Sequence, residues 1–354
     1  MRRAIVAAVA VIVLVGAGLA GAGAVGIGPL ARPLPAGTVF VAISRNDDET
    51  DAREIEVIDL AGGERQVFTV DGRITALALS ADRRSLYVAL EGPRLVLLDA
   101  RTGATFGRID LTGAAVSQLV VGSDDRLYAL AASAREATIT PIDVDARRAG
   151  AALALGGTGG PAVGRPAVLP GALLIPIAEP RTLQLVRVTL APLAVADRTE
   201  IPRIGGLPGA PAALALGGGT SAALAPYDAV VRGARLFVFR DPGERREKTL
   251  AFGNFSFTVP RGLLDIQAQA AASADGMVIQ ACVGNSRSAR RYSVAVADLT
   301  ATEVGTECGQ MARGEGDTVL IAARGSAKLV VIDEHSGVIR RTLALAGIPT
   351  QLSR

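Results

Sequence analysis

The hydrophobic pattern divides the chain into two unlike parts. Arg2 and Arg3 precede a charge-free run, Ala4–Ala31, whose core Ala4–Leu19 is almost entirely Ala, Val, Ile, Leu and Gly. A helix that crosses a bilayer needs about 20 apolar residues, so the run is long enough. Two arginines before it, against Arg32 after it, predict a cytoplasmic amino terminus. Ala20-Gly21-Ala22 and Ala22-Gly23-Ala24 also fit the small-residue pattern of a signal-peptide cleavage site. Residues 1–28 therefore read as a cleaved signal peptide or a retained anchor helix, and both readings stay open. Pro29, Pro33 and Pro35 make residues 29–37 a stiff linker. Residues 38–354 form one domain, expected outside the cytoplasm (periplasmic or on the cell surface). It is either membrane-anchored or secreted.

From Thr38 onward, apolar or alternating runs of five to seven residues are separated by Gly, Asp, Pro and Arg turns. That pattern predicts many short antiparallel strands and little helix. The clearest group is Ile74–Ser80, Ser85–Leu90, Arg94–Asp99 and Thr105–Leu111. Related groups begin near Val116, Ala162, Ala210, Asp265 and Cys308. One turn recurs almost letter for letter: Asp99-Ala-Arg-Thr-Gly103 matches Asp333-Glu-His-Ser-Gly337, and Asp59-Leu-Ala-Gly-Gly63 is a looser copy. The Asp can bond backbone amides two residues on, and the Gly supplies a positive φ. Four strands in a period near 40 residues are the mark of a β-propeller. The opening group, Thr38–Ser44, Glu54–Leu60 and Arg65–Val70, lacks a first strand. Ile348–Ser353 resembles one, and it is predicted to close the ring from the carboxyl end. The expected fold class is all-β, a seven-bladed propeller after one amino-terminal hydrophobic helix.

The segment Ala76–Leu90 followed by Arg94–Gly103 resembles the YVTN-repeat, lactonase-like propellers of bacteria. The shared features are a small-apolar strand, a Ser-x-Asp turn, a Tyr-Val strand and a strand ending in Asp-x-x-Thr-Gly. Leu343–Thr350 is similar to that family's link between blades. The likeness is good over Ile74–Leu130 and Asp317–Ser353 and poor over Ala151–Gly262. It implies a fold, with first strands lining a central channel, and carries no activity.

Composition narrows the chemistry. Among 354 residues there are one His, two Cys and only 3% aromatics. Zinc clusters, haem attachment and a disulfide-dense mini-domain are excluded. The formal net charge is +3. Arg2 and Arg3 supply two of those charges, so the basicity marks membrane orientation rather than a polyanionic partner. Nucleic acid is excluded by the scarcity of stacking aromatics and of basic runs. No cofactor is expected.

His335 falls in the turn between third and fourth strands and reads as a solvated turn residue, not part of a catalytic triad. The first strands place Gln118, Arg165, Asp265, Gln267, Gln310 and Gln351 along the channel. One acid beside an arginine argues against a calcium site there. The amides suit a polar organic ligand or channel water. Asn46–Asp51 lacks the glycine and spacing of a calcium loop. The loops between second and third strands carry Arg45, Arg94, Arg135, Arg181, Arg232, Arg287 and Arg324, a ring that would suit a small anion or an acidic protein surface. Glu91, Glu136, Glu179 and Asp228 offset it. The Gly156–Gly160 and Gly217–Gly219 runs read as blade links and tight hairpins. Cys282 and Cys308 either pair, stapling the sixth blade to the seventh, or stay as buried thiols.

The expected role is a non-catalytic binding or protein-interaction module. The alternatives are a lactonase-like hydrolase or isomerase using Arg and carboxylate groups of the loop face, and a structural subunit of a membrane complex.

Overall fold

Seven antiparallel sheets follow one another along the chain. The computed structural model describes residues 34–354 except 47–50, 158, 180, 203–209, 229–232, 241–243, 252–266, 285–288 and 324. The apolar run 1–28 thus lies outside the described residues. No helix among those described is long and apolar enough to cross a membrane.

Blade 2 shows the plan. Ile74–Leu79 is innermost, followed outward by Ser85–Leu90, Arg94–Asp99 and Thr105–Asp110. The second and third strands are almost wholly buried, whereas the outermost, Thr-Phe-Gly-Arg-Ile-Asp, alternates exposed and buried positions. A strand covered on both faces reads as a continuous apolar run, and one with a solvated face alternates. Blades 3, 4 and 5 begin at Val116, Ala162 and Ala212, and blades 6 and 7 at Gln267 and Gly309. In blade 1, Ile348–Ser353 is innermost and pairs with Thr38–Ser44, placing Phe40 opposite Ser353. The last strand therefore completes the first blade and removes its open edge.

Turn chemistry fixes the registers. Asp99 Oδ1 accepts hydrogen bonds from the Arg101 and Thr102 amides at 3.0 and 2.8 Å, and Gly103 takes φ +71°. Asp333 repeats this with the His335 and Ser336 amides, and Gly337 again takes φ +71°.

The core lies between blades. Phe40, Ile55, Phe68, Leu77, Leu86 and Leu98 pack blade 1 against blade 2. Each such fully buried side chain contributes about 1.5–3 kcal/mol. Innermost strands are rich in alanine (Ala76, Ala78, Ala213, Ala270), where the sheets converge on the axis.

Blade 6 presents a polar row to blade 7. Gln269, Cys282 and Arg291 are neighbours across its strands. Cys282 forms a disulfide with Cys308, just before the first strand of blade 7, with the Cα atoms 5.5 Å apart. Arg291 is fully buried and donates from Nη1 to Gly337 O at 2.6 Å.

Candidate functional site

The innermost strands enclose a cavity of about 450 Å³ on the propeller axis. Gln118 is the third residue of Val116–Val121, Gln310 the second of Gly309–Arg313, and Gln351 the fourth of Ile348–Ser353. All three line this cavity, as does Arg165.

Arg165 arrives there by a break in the pattern. The first strand of blade 4 splits into Ala162–Val163 and Ala167–Leu169 around Gly164-Arg165-Pro166. The Arg165 amide donates to Pro211 O, and Arg165 O accepts from the Ala213 amide, each at 2.9 Å. The residue thus forms a parallel bridge to blade 5 at Ala212. Gly164 permits this approach, because a Cβ there would lie 2.0 Å from Pro211 O. The backbone carrying the guanidinium is therefore held by two blades. Burial pushes the Arg165 pKa below the usual arginine range.

Among the described residues, the side chains of Gln118, Arg165, Gln310 and Gln351 have no hydrogen-bond or ion-pair partner in the protein. No Asp, Glu, His or aromatic side chain is among the described residues that line the cavity. Three amides and the Arg165 guanidinium therefore offer their donors and acceptors to whatever occupies the channel, which Arg83, Arg313 and Arg354 also line.

Three more arginines stand where the first strands end. Arg83 sits in the turn after Leu79 at φ +59°, a left-handed position that blade 6 fills with Gly276. A non-glycine residue there costs about 1–2 kcal/mol. The guanidinium of Arg83 offsets this by donating to Leu34 O at 3.3 Å, Pro35 O at 2.8 Å and Thr38 O at 3.1 Å. Arg354 donates to Ala36 O, Arg313 O and Gly314 O. Burial lowers the pKa of both, and each is lowered further by a neighbouring guanidinium, Arg354 for Arg83 and Arg313 for Arg354. Glu315 opposes the shift in both cases. Arg313 Nε lies 4.0 Å from Glu334 Oε2.

The other residues singled out in the sequence lie elsewhere. Asp265 and Arg287 fall outside the described residues, as do Arg232 and Arg324. Gln267 opens the first strand of blade 6, its side chain undescribed. Arg94, which opens its strand, and Arg135 and Arg181, in turns, are exposed and do not line the channel cavity. Arg45 pairs with Glu54 at 2.7 Å. His335 is half-exposed between blades 6 and 7, with Nε2 3.0 Å from Asp275 Oδ2 and Nδ1 3.9 Å from Glu334 Oε1. An imidazole between two carboxylates, with no hydroxyl on its free nitrogen, is not the nucleophile–base arrangement of acyl transfer. No group of three or more His, Cys, Asp or Glu among the described residues is placed to hold a metal ion. A second cleft of about 1200 Å³ lies between blades 2 and 3. Its lining holds four aspartates (Asp82, Asp125, Asp143 and Asp145) and four arginines (Arg84, Arg126, Arg147 and Arg148), so its charges balance. Among the described residues, the channel is the one of the two whose lining carries arginines and no carboxylate side chain.

These features define a seven-bladed β-propeller with a donor-lined axial channel. No protein-family model matches the chain, and no curated protein matches it in sequence. Solved structures share its fold. A 6-phosphogluconolactonase-like protein from Bacteroides fragilis is similar at TM-score 0.62 and 17% identity, over 89% of this chain and 96% of that one. A protein of unknown function from Desulfotomaculum acetoxidans gives 0.62 at 13% identity, over 88% and 96%. BamB from Moraxella catarrhalis gives 0.54 at 14% identity, over 91% and 88%. At such identities the likeness is one of fold.

Proposed function

We propose that this propeller is an exported, non-catalytic binding module whose ligand enters the axial channel. The observation that carries this is the set of four channel side chains without partners, Gln118, Arg165, Gln310 and Gln351. Amide and guanidinium groups neither give nor take protons near neutral pH, so they suit recognition better than acid–base work. The four are half-buried and stand open to the channel, where a bound polar molecule meets their donors and acceptors. Export is supported by the apolar run behind Arg2 and Arg3, and by the Cys282–Cys308 disulfide, which suits an oxidising compartment. The repeat texture of Ile74–Leu130 supports kinship with YVTN-type propellers. The membrane is then a partner through residues 1–28 wherever that segment is retained.

The test compares wild type with a Gln118→Ala, Arg165→Gln, Gln310→Ala, Gln351→Ala variant, both purified from the native envelope. Mass spectrometry of molecules released on denaturation reads the result. A small molecule or protein held by wild type and lost from the variant is expected. Identical contents in the two proteins would remove the channel from the proposal.

A further inference from the structure

The seam between blades 6 and 7 holds a fully buried cation, Arg291, with a distant counter-ion. Its guanidinium donates to Gly337 O and Val304 O, and its Nη2 lies 3.8 Å from Glu307 Oε2. Its Nε has no partner among the described residues. Cys282 stands directly opposite Arg291 in the strand pairing, and both side chains face blade 7, the sulfur in the cluster of Met311 and Ile321 and the guanidinium on Gly337. Opposed side chains on one face of a sheet have their Cβ atoms about 5 Å apart. Glu307 immediately precedes Cys308, so the disulfide also fixes the carboxylate that offsets Arg291.

From this we infer that Cys282–Cys308 is a reducible latch, opened by an external dithiol, with Arg291 holding the departing Cys282 thiolate. Cys308 is half-buried and Cys282 is 3% exposed, so the entering thiolate meets Cys308. A bond forms from the entering sulfur to Cys308 Sγ, the Cys282–Cys308 bond breaks, and its electron pair stays on Cys282. The second thiol of the reductant then displaces Cys308 and gives it its proton, while the proton of the first has gone to solvent. The reductant leaves as a disulfide, oxidised by two electrons. A cation beside a thiol lowers its pKa, and a thiol of lower pKa is the better leaving group. Once the bond opens, Glu307 is no longer pinned, and the thiolate replaces it as the counter-ion of Arg291.

Few other charges face this sulfur. Lys328 shares the face of Val330 on the third strand of blade 7 but is exposed. Arg313, Glu334 and His335 gather at Ala274, Gln280 and Ser293 instead. The latch lies two residues before Gln310, on the segment that enters the innermost strand of blade 7. Its opening therefore loosens the mounting of one channel amide, a consequence that rests on the channel role proposed above, whereas the redox step does not.

The test uses the reduced Cys308→Ala full chain, whose single thiol is Cys282. Thiolate ultraviolet absorbance against pH should give a midpoint about one unit or more below the ordinary thiol value of about 8.5. Arg291→Met in this background should raise the midpoint by about one unit or more. Glu307→Gln, which keeps the guanidinium and removes its competitor, should lower it further, and it reads the same pairing if the Met variant does not fold. A midpoint at or above about 8.5, or one that neither substitution moves, would overturn the inference. Brief treatment of wild type with glutathione should leave the adduct on Cys308, and an adduct on Cys282 would overturn the order of attack. Hydrogen exchange over residues 305–311 should rise on reduction of wild type. Unchanged exchange there would cut the tie to Gln310, and a channel that binds nothing would leave the thiol readings standing.

Discussion

His335 of blade 7 reaches across to Asp275 of blade 6, its Nε2 3.0 Å from the carboxylate Oδ2. The two residues are 60 positions apart in sequence. Hydrogen bonding to Asp275 is the main cause that raises the His335 pKa above its ordinary 6.5. Asp275 is held well below the usual carboxylate range, first by Ser273 and then by His335. A raised imidazole stabilises the fold fully below its unfolded value, and that contribution is lost as pH rises through the folded one. A depressed carboxylate contributes above its unfolded value of 3.8 and loses the contribution as pH falls through the folded one. Both contributions are present between roughly pH 4 and 6.5. A His335→Gln variant should therefore melt slightly below wild type in that window. The gap should close as the medium is made alkaline, and thermal scans across pH read it. A gap that persists unchanged to pH 9 would contradict the pairing.

Gly164 is expected to tolerate no side chain. A Cβ 2.0 Å from Pro211 O forces the link between blades 4 and 5 apart. Gly164→Ala should cost roughly 3 kcal/mol of stability, near the upper end for single substitutions. Urea midpoints measure it. A cost under about 1 kcal/mol would show that the chain can relax there.

The Cys282–Cys308 bond closes a loop of sequence separation 26. On the chain-entropy account, such a loop contributes about 3 kcal/mol. A Cys282→Ala, Cys308→Ala double variant should lose about that amount, and reductant should destabilise wild type but not the variant. Equal response of both proteins to reductant would show that the staple carries no stability.

Removal of Ile348–Arg354 should abolish cooperative unfolding. Thr38–Ser44, buried along its whole length, would become an apolar edge. Grafting Ile348–Ser353 ahead of Thr38 through a flexible linker should restore the cooperative transition, since the strand then returns to the same neighbour. Unfolding curves of the three chains decide the point.

The blade plan was legible because turn chemistry repeats. Asp99-to-Gly103 and Asp333-to-Gly337 carry the same local hydrogen bonds, so a short window of residues was enough to place both turns. Channel positions were legible by the same means, since a first strand announces its neighbours. The same pattern places Arg165 on the channel. The break that mounts it depends on Pro211, too far along the chain for local pattern to show. Arg83 and Arg354 carry no local signal for a like reason, as their partners at Leu34–Thr38 and Arg313–Gly314 come from other blades. His335 reads from sequence as a solvated turn residue. It is indeed half-exposed, but the carboxylate that holds it belongs to another blade.

The seating of Leu34–Thr38 has a mechanical consequence. Leu34 packs against the core between blades 1 and 2, and Arg83 holds the carbonyls of Leu34, Pro35 and Thr38. A pull delivered through residue 34 runs into Thr38–Ser44, which is flanked on both sides by antiparallel partners. The force acts along that strand, so it shears two ladders of hydrogen bonds at once instead of peeling them singly. The ring is thus gripped at a strand paired on both sides, and a load on that end spreads over the whole seam.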